Sequence, residues 1–154
     1  MKRRVYIYSF ILLIIDIISK LIVKNNMVLN QSIKIIPNFF NLTYVLNDGA
    51  AFSILRGKLN LLIILGLVIF IGIIYYLNKE RLNNYKIVYY SLLIGGLLGN
   101  LIDRIIYNAV IDFLDFNILG LNFPIFNLAD TFICVSIGLI IIEGIVDLYG
   151  NKSR

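Results

Sequence analysis

Four stretches of this chain are almost continuously apolar, roughly Val5 to Val23, Leu59 to Leu77, Ile87 to Ile106 and Ala129 to Tyr149. Each is close to the roughly 20 residues an α-helix needs to cross a bilayer. The pattern predicts an all-α membrane protein of four transmembrane helices in one domain, with both termini on the same side. In the connection after the first span, Phe40, Leu42, Tyr44 and Leu46 alternate with Asn41, Thr43, Val45 and Asn47. The segment VIDFLDF, Val110 to Phe116, alternates in the same way after the third span. Period two is the signature of a half-buried strand, so a small β-rich element resting on the membrane is expected where these two loops meet. Pro124, in the run FPIFN, then turns the chain into the last helix.

Composition agrees with this pattern. Of 154 residues, 60% are hydrophobic and only 15% are charged, and the mean hydropathy of +0.89 lies far outside soluble globular usage. The net charge of +5 forms no basic stripe with interleaved aromatics, so a nucleic-acid partner is not expected. Its distribution instead suggests orientation. Eight Lys and Arg residues fall in the N-terminus, the loop between spans two and three, and the tail, against four in the two other loops, Lys24, Lys34, Arg56 and Lys58. The positive-inside rule then puts both termini in the cytoplasm and the two half-apolar loops outside. Lys2, Arg3 and Arg4 precede an apolar run as in a secretory signal, but Asp16 and Lys20 interrupt it and no small-x-small pattern follows, so a retained first helix is expected. Tyr6, Tyr8, Tyr75, Tyr76, Tyr89, Tyr90, Tyr107 and Tyr149 lie near span ends and are read as interfacial anchors. Gly95, Gly96 and Gly99 let a neighbouring helix approach the third span closely.

The inventory of reactive side chains is short. The chain has no histidine and one cysteine, Cys134. Ser-His-Asp and Cys-His triads, an intrachain disulfide and a histidine zinc site are all excluded. Only all-oxygen Mg²⁺ or Ca²⁺ sites remain open, and neither a metal nor a cofactor is expected.

What remains is carboxylates, amides and two intramembrane cations. Asp16, Ser19 and Lys20 share one face of the first span, and Asn100, Asp103 and Arg104 repeat that spacing in the third. Ionised groups at such depth cost about 2.5 to 3.5 kcal/mol on insertion scales, which favours a site over ornament. Arg104 carries a planar fork of donors suited to a carboxylate or a loop carbonyl, although snorkelling toward headgroups would also explain it. Asp130 falls at the start of the last span with Asn127 three residues before it, and either could be the helix cap. Asp112 and Asp115 lie on opposite faces of the VIDFLDF strand, and alternation alone does not choose between them. Glu143 and Asp147 are read as structural or interfacial. The NDGAAFS run, from Asn47 to Ser53, reads as a turn that allows close backbone approach. A membrane-embedded carboxylate pair is the leading reading; a small ion-conducting protein and a non-catalytic scaffold are the rivals.

Taken in order, DIISK (Asp16 to Lys20), NDGAAFS, GGLLGNLIDR (Gly95 to Arg104), VIDFLDF and FNLADTFI (Phe126 to Ile133) resemble the motifs of the lipoprotein signal peptidase family, the bacterial type II signal peptidases. Five ordered motifs span nearly the whole chain. The resemblance implies a four-helix intramembrane aspartic endopeptidase whose catalytic pair maps to Asp112 and Asp130, which selects Asp112 over Asp115. It further implies that Asp16, Lys20, Asn47, Gly49, Asn100, Arg104, Asn127 and Ala129 shape or support the site. The implied substrate is a prolipoprotein whose cysteine already carries diacylglycerol, cut just before that cysteine. The outward loops would form a cradle and flap over it, near the outer face of a bacterial cell membrane. A monomer in contact with membrane lipid is expected.

Overall fold

The computed structural model describes residues 1–49, 54–118 and 120–150. Four helices carry the architecture: α1 (Lys2–Asn26), α2 (Leu59–Lys79), α3 (Asn84–Tyr107) and α4 (Leu128–Gly150). All four are long and apolar enough to cross a membrane. At 1.5 Å per residue, α1 is about 38 Å long, more than the roughly 30 Å of a hydrocarbon core. Four strands complete the described residues: β1 (Ser32–Ile36), β2 (Phe40–Asn47), β3 (Val110–Ile118) and β4 (Leu121–Asn122). They pair antiparallel in the order β1-β2-β3-β4.

α3 is the centre of the bundle and packs against each of the other three helices. Its start is fixed by Asn83, whose side-chain oxygen accepts the Lys86 N–H at 2.7 Å. Its end is set by Asn108 in the left-handed region, φ 57°, a conformation that asparagine tolerates and that stops a helix. Three glycines make the centre possible. A Cβ on Gly95 would lie 2.9 Å from Leu12 Cβ on α1, and one on Gly96 only 2.5 Å from the Ala129 carbonyl oxygen on α4. A Cβ on Gly99 would collide with the Asp16 carboxylate on α1 and also lie 3.3 Å from Ala129 Cβ. These glycines therefore admit two neighbours, α1 and α4. The outer faces of α1, α2 and α4 expose large apolar side chains such as Phe10, Ile22, Ile64, Val68, Ile71, Ile142 and Val146, the surface that lipid covers in a membrane protein.

Two compact apolar clusters sit at opposite ends. One joins Val5, Leu77, Ile87, Tyr89, Tyr90 and Ile94. The other, under the sheet, joins Val23, Tyr44, Ile111 and Phe113. Tyr89 and Tyr90 are therefore core residues, not the interfacial anchors expected from their position near a span end. They lie on the one helix enclosed by the others, and the Tyr89 hydroxyl donates to Glu143 Oε2 on α4 at 2.7 Å. That contact gives Glu143 its structural role.

Sheet register places the site. β2 and β3 align Val45 with Asp112 and Asn47 with Val110, with a shift in pairing between Leu42 and Val45. Because of that irregularity the alternation does not carry through β2: Tyr44 is buried, yet Leu46 is exposed. On β3, Val110 to Phe113 are all buried. Helices α1 and α3 pack against this strand, and the stretch before α4 runs along it, where the Phe126 carbonyl accepts the Phe113 and Leu114 N–H groups at 3.0 and 2.8 Å.

Candidate active site

Asp130 is set by its own helix end. The Asn127 side-chain oxygen accepts the Asp130 N–H at 2.9 Å. In return, Asp130 Oδ2 accepts the Asn127 N–H at 3.3 Å. This is a reciprocal capping box, so both residues act as caps, each for the other. The other Asp130 oxygen, Oδ1, accepts from Asn100 Nδ2 of α3 at 2.7 Å.

Asp112 arrives from the strand. Its Oδ1 accepts from Asn127 Nδ2 at 2.7 Å and its Oδ2 from Asn47 Nδ2 at 3.0 Å. A single side chain, Asn127, thus bonds to Asp112 while its backbone N–H bonds to Asp130. Asn127 is fully buried and Asp112 is 2% exposed. Burial, and then the Asp130 carboxylate, push the Asp112 carboxyl up to about 7, against the pull of the Asn47 and Asn127 donors. Asp115 goes elsewhere. It accepts from Thr43 Oγ1 at 2.6 Å on the sheet, apart from Asp130.

Below the pair lies a buried charge cluster. Lys20 Nζ is 2.7 Å from Asp16 Oδ2, 3.0 Å from Asp103 Oδ2 and 3.1 Å from Asn100 Oδ1. Two carboxylates and one amide oxygen thus surround the ammonium. At 1% exposure, an unpaired ammonium there would cost several kcal/mol. Asn100 links this cluster to the carboxylates, since its oxygen also accepts from Asn127 Nδ2 at 3.1 Å. Ser19, on the same stretch of α1, turns back to the Asp16 carbonyl at 2.7 Å and takes no part.

Arg104 donates to the Gly49 carbonyl at 3.1 Å. Gly49 is positioned from its other side by Asn47, whose Oδ1 accepts the Gly49 N–H at 3.0 Å. One asparagine thereby ties the loop to Asp112. Residues 50–53 of the NDGAAFS turn lie outside the described residues.

The two aspartates share a cavity of about 450 Å³ with Asn47, Asn100 and Arg104. Its remaining wall is mostly apolar, including Phe123, Pro124, Phe126, Ile133 and Val135. Such a combination, a few convergent polar groups in a greasy cleft, suits a ligand with a long apolar part. Asp16, Lys20, Asn127 and Ala129 are buried beside it: Ala129 is fully buried, and its N–H donates to Asp16 Oδ1 at 2.9 Å. The ten residues singled out from sequence thus come together in one connected site. Asp103 was not among them. Its signal is the spacing of three from Asn100, which turns both toward Lys20. The Phe123 to Phe126 wall carries no motif that would have marked it.

Comparison with known proteins agrees with this arrangement. Residues 8–146 match the signal peptidase (SPase) II family. A lipoprotein signal peptidase of Staphylococcus epidermidis is 40% identical across all of this chain and 99% of its own length. Its Staphylococcus aureus counterpart is 38% identical across all of this chain and 98% of its own. Among solved structures, a bacterial membrane enzyme determined by the in meso method at 2.3 Å superposes with a TM-score of 0.91 at 37% identity, covering 97% of this chain and 92% of that one. A second, at 1.9 Å, gives a TM-score of 0.82 at 38% identity over 90% of each chain. With the family matched over most of its length and the fold matched almost throughout, this chain belongs to the signal peptidase II family.

Proposed function

We propose that this chain is an intramembrane aspartic endopeptidase that removes the signal peptide from diacylglyceryl-modified prolipoproteins, cutting just before the lipidated cysteine. Asp112 and Asp130 form the catalytic pair. The observation that carries this reading is Asn127, bonded to both carboxylates beside a cavity whose other walls are apolar. The relatives named lipoprotein signal peptidases supply the substrate class.

Two close carboxylates cannot both ionise cheaply, so the pair holds one proton and titrates as a unit. The ionised member takes a proton from water as the water oxygen bonds to the scissile carbonyl carbon. The protonated member gives its proton to the carbonyl oxygen, leaving a tetrahedral diol. Collapse of the diol passes one hydroxyl proton to the ionised member, re-forms the carbonyl and breaks the C–N bond, while the leaving nitrogen takes the proton of the other member, so the pair again holds one proton. The products are a peptide acid and a lipoprotein with a free cysteine amine. Asn100, Asn47 and Asn127 fix the carboxylate orientations, and Arg104 with Gly49 holds the loop beside them. The lipid-bearing peptide enters from the bilayer, with Phe126, Ile133 and Val135 beside its apolar part.

The same reading gives a topology. Lys2 Nζ donates to the Asn78 carbonyl at 2.5 Å, which puts the start of α1 and the end of α2 together, far from the sheet. Lys2, Arg3, Arg4, Lys79, Arg81 and Lys86 gather there. That end faces the cytoplasm, both termini lie inside, and the sheet with its aspartates lies at the outer face. The chain acts as a single-domain monomer.

The test is substitution at constant shape. Asp112→Asn and Asp130→Asn should each abolish cleavage of a lipidated prolipoprotein while inserting into membranes normally. Asp115→Asn should retain activity; its loss, with Asp112→Asn active, would move the acid to Asp115.

A further inference from the structure

We infer that Asp103 is a positioning residue for this reaction and one of a matched pair with Asp16. Each carboxylate, held by the Lys20 ammonium, accepts the main-chain N–H of the residue directly preceding one reacting aspartate. Asp103 Oδ2 accepts from Ile111 N at 3.1 Å, one residue before Asp112. Asp16 Oδ1 accepts from Ala129 N at 2.9 Å, one residue before Asp130. The inference rests on the reading of Asp112 and Asp130 as the reacting pair.

Both N–H groups need an outside partner. Ile111 is 1% exposed, and its N–H reaches α3 while β2 lies on the other side of the strand. β4 pairs only with Asn117 and Ile118, well beyond it. Ala129 lies in the first turn of α4, where backbone donors have no acceptor within their own helix. A buried N–H without a partner is strongly disfavoured, so each carboxylate satisfies a donor that would otherwise be orphaned.

The geometry does more than satisfy donors. Consecutive Cα atoms are about 3.8 Å apart, so pinning the peptide before an aspartate leaves its side chain little room to drift. Because Asp16 and Asp103 share Lys20, the backbone that presents Asp112 from β3 and the backbone that presents Asp130 from α4 are referred to one charge on α1. Small misplacement of reacting groups is costly in rate. Strand and helix come from distant parts of the chain, and this cluster sets their spacing.

The experiment compares Asp103→Ala, Asp103→Asn and Asp112→Asn as purified full-length proteins in detergent, with a diacylglyceryl-modified prolipoprotein peptide as substrate. A hydrogen bond to a charged group corresponds to roughly a 10- to 150-fold rate effect. Asp103→Ala should lose kcat by that factor with KM within about threefold of wild type, because the substrate cavity is untouched. Asp103→Asn should recover to within about tenfold of wild type. One oxygen, Oδ2, receives both Lys20 and Ile111, and an asparagine oxygen can occupy that place. A merely structural role would change the thermal midpoint without this split between the two variants. An Asp103→Ala enzyme with kcat within about threefold of wild type, a loss expressed in KM alone, or an Asn variant no better than Ala would each overturn the inference. If the Ala variant does not fold, a folded Asn variant as inactive as Asp112→Asn overturns it equally. An active Asp112→Asn enzyme would instead refute the catalytic assignment itself.

Discussion

Asn127→Ala separates a catalytic scaffold from an ordinary helix cap. The substitution removes the cap on Asp130, the donor to Asp112 Oδ1 at 2.7 Å and the donor to Asn100 Oδ1 at 3.1 Å. Loss of an N-cap costs about 0.5 to 2 kcal/mol, and loss of a hydrogen bond to a carboxylate about 1.5 to 3 kcal/mol. Together they lower stability by about 2 to 5 kcal/mol. The asparagine amide also pulls the Asp112 carboxyl downward from where burial and Asp130 push it. Without that donor, Asp112 holds its proton to higher pH. The proposed mechanism requires a protonated member of the pair, so on that reading wild-type activity should fall as pH rises through about 7. In the variant that alkaline limb should move up by about one unit, while the maximal kcat falls roughly 10- to 150-fold. The assay is kcat against pH, from about 5 to 9, on a lipidated peptide in detergent. An alkaline limb that stays fixed or moves to lower pH would refute the reasoning, as would a kcat within about threefold of wild type.

Two further outcomes follow from the same contacts. Gly99→Ala should destabilise by about 1 to 3 kcal/mol through overpacking against Asp16, whereas Gly72→Ala, where a Cβ meets nothing within 4 Å, should be neutral or slightly stabilising; thermal midpoints in detergent decide, and equal effects at both positions would contradict the packing account. The Asp112 carboxyl is raised to about 7 in the fold, above the roughly 3.9 of an unfolded aspartate, so the folded state binds more protons between those values. Stability from this group is complete below about pH 4 and is lost as pH rises through about 7; the thermal midpoint should therefore fall across that window in wild type, and fall less in Asp112→Asn.

The helices were legible because each is a single apolar run of membrane-spanning length, and their observed limits lie within a few residues of those runs. β2 and β3 were legible from alternation, but β1 was not: SIKII is short and exposed along its whole length, so it carries no buried face to read. β4 has two residues and no pattern at all. The irregular pairing between Leu42 and Val45 is likewise invisible, since which residue a strand skips is decided by its partner. Tyr89 and Tyr90 misled because distance from a span end says nothing about which helix is enclosed. Asp112 and Asp115 could not be separated by pattern, and the difference between them is the fold's: one meets Asn127 and Asn47, the other Thr43. Asp103 lay in plain view beside Asn100, but its partner Ile111 N–H is a backbone group and leaves no mark in a sequence.

The most direct measurement is mass spectrometry of the products formed from a diacylglyceryl-modified prolipoprotein, and from the same protein without lipid, by wild type, Asp112→Asn and Asp130→Asn. The expected result is one cut, immediately before the lipidated cysteine, made only in the lipidated substrate and only by wild type. Cleavage that persists in both variants, or folded wild-type protein that leaves the lipidated substrate intact, would contradict an aspartic pair at the outer end of this bundle.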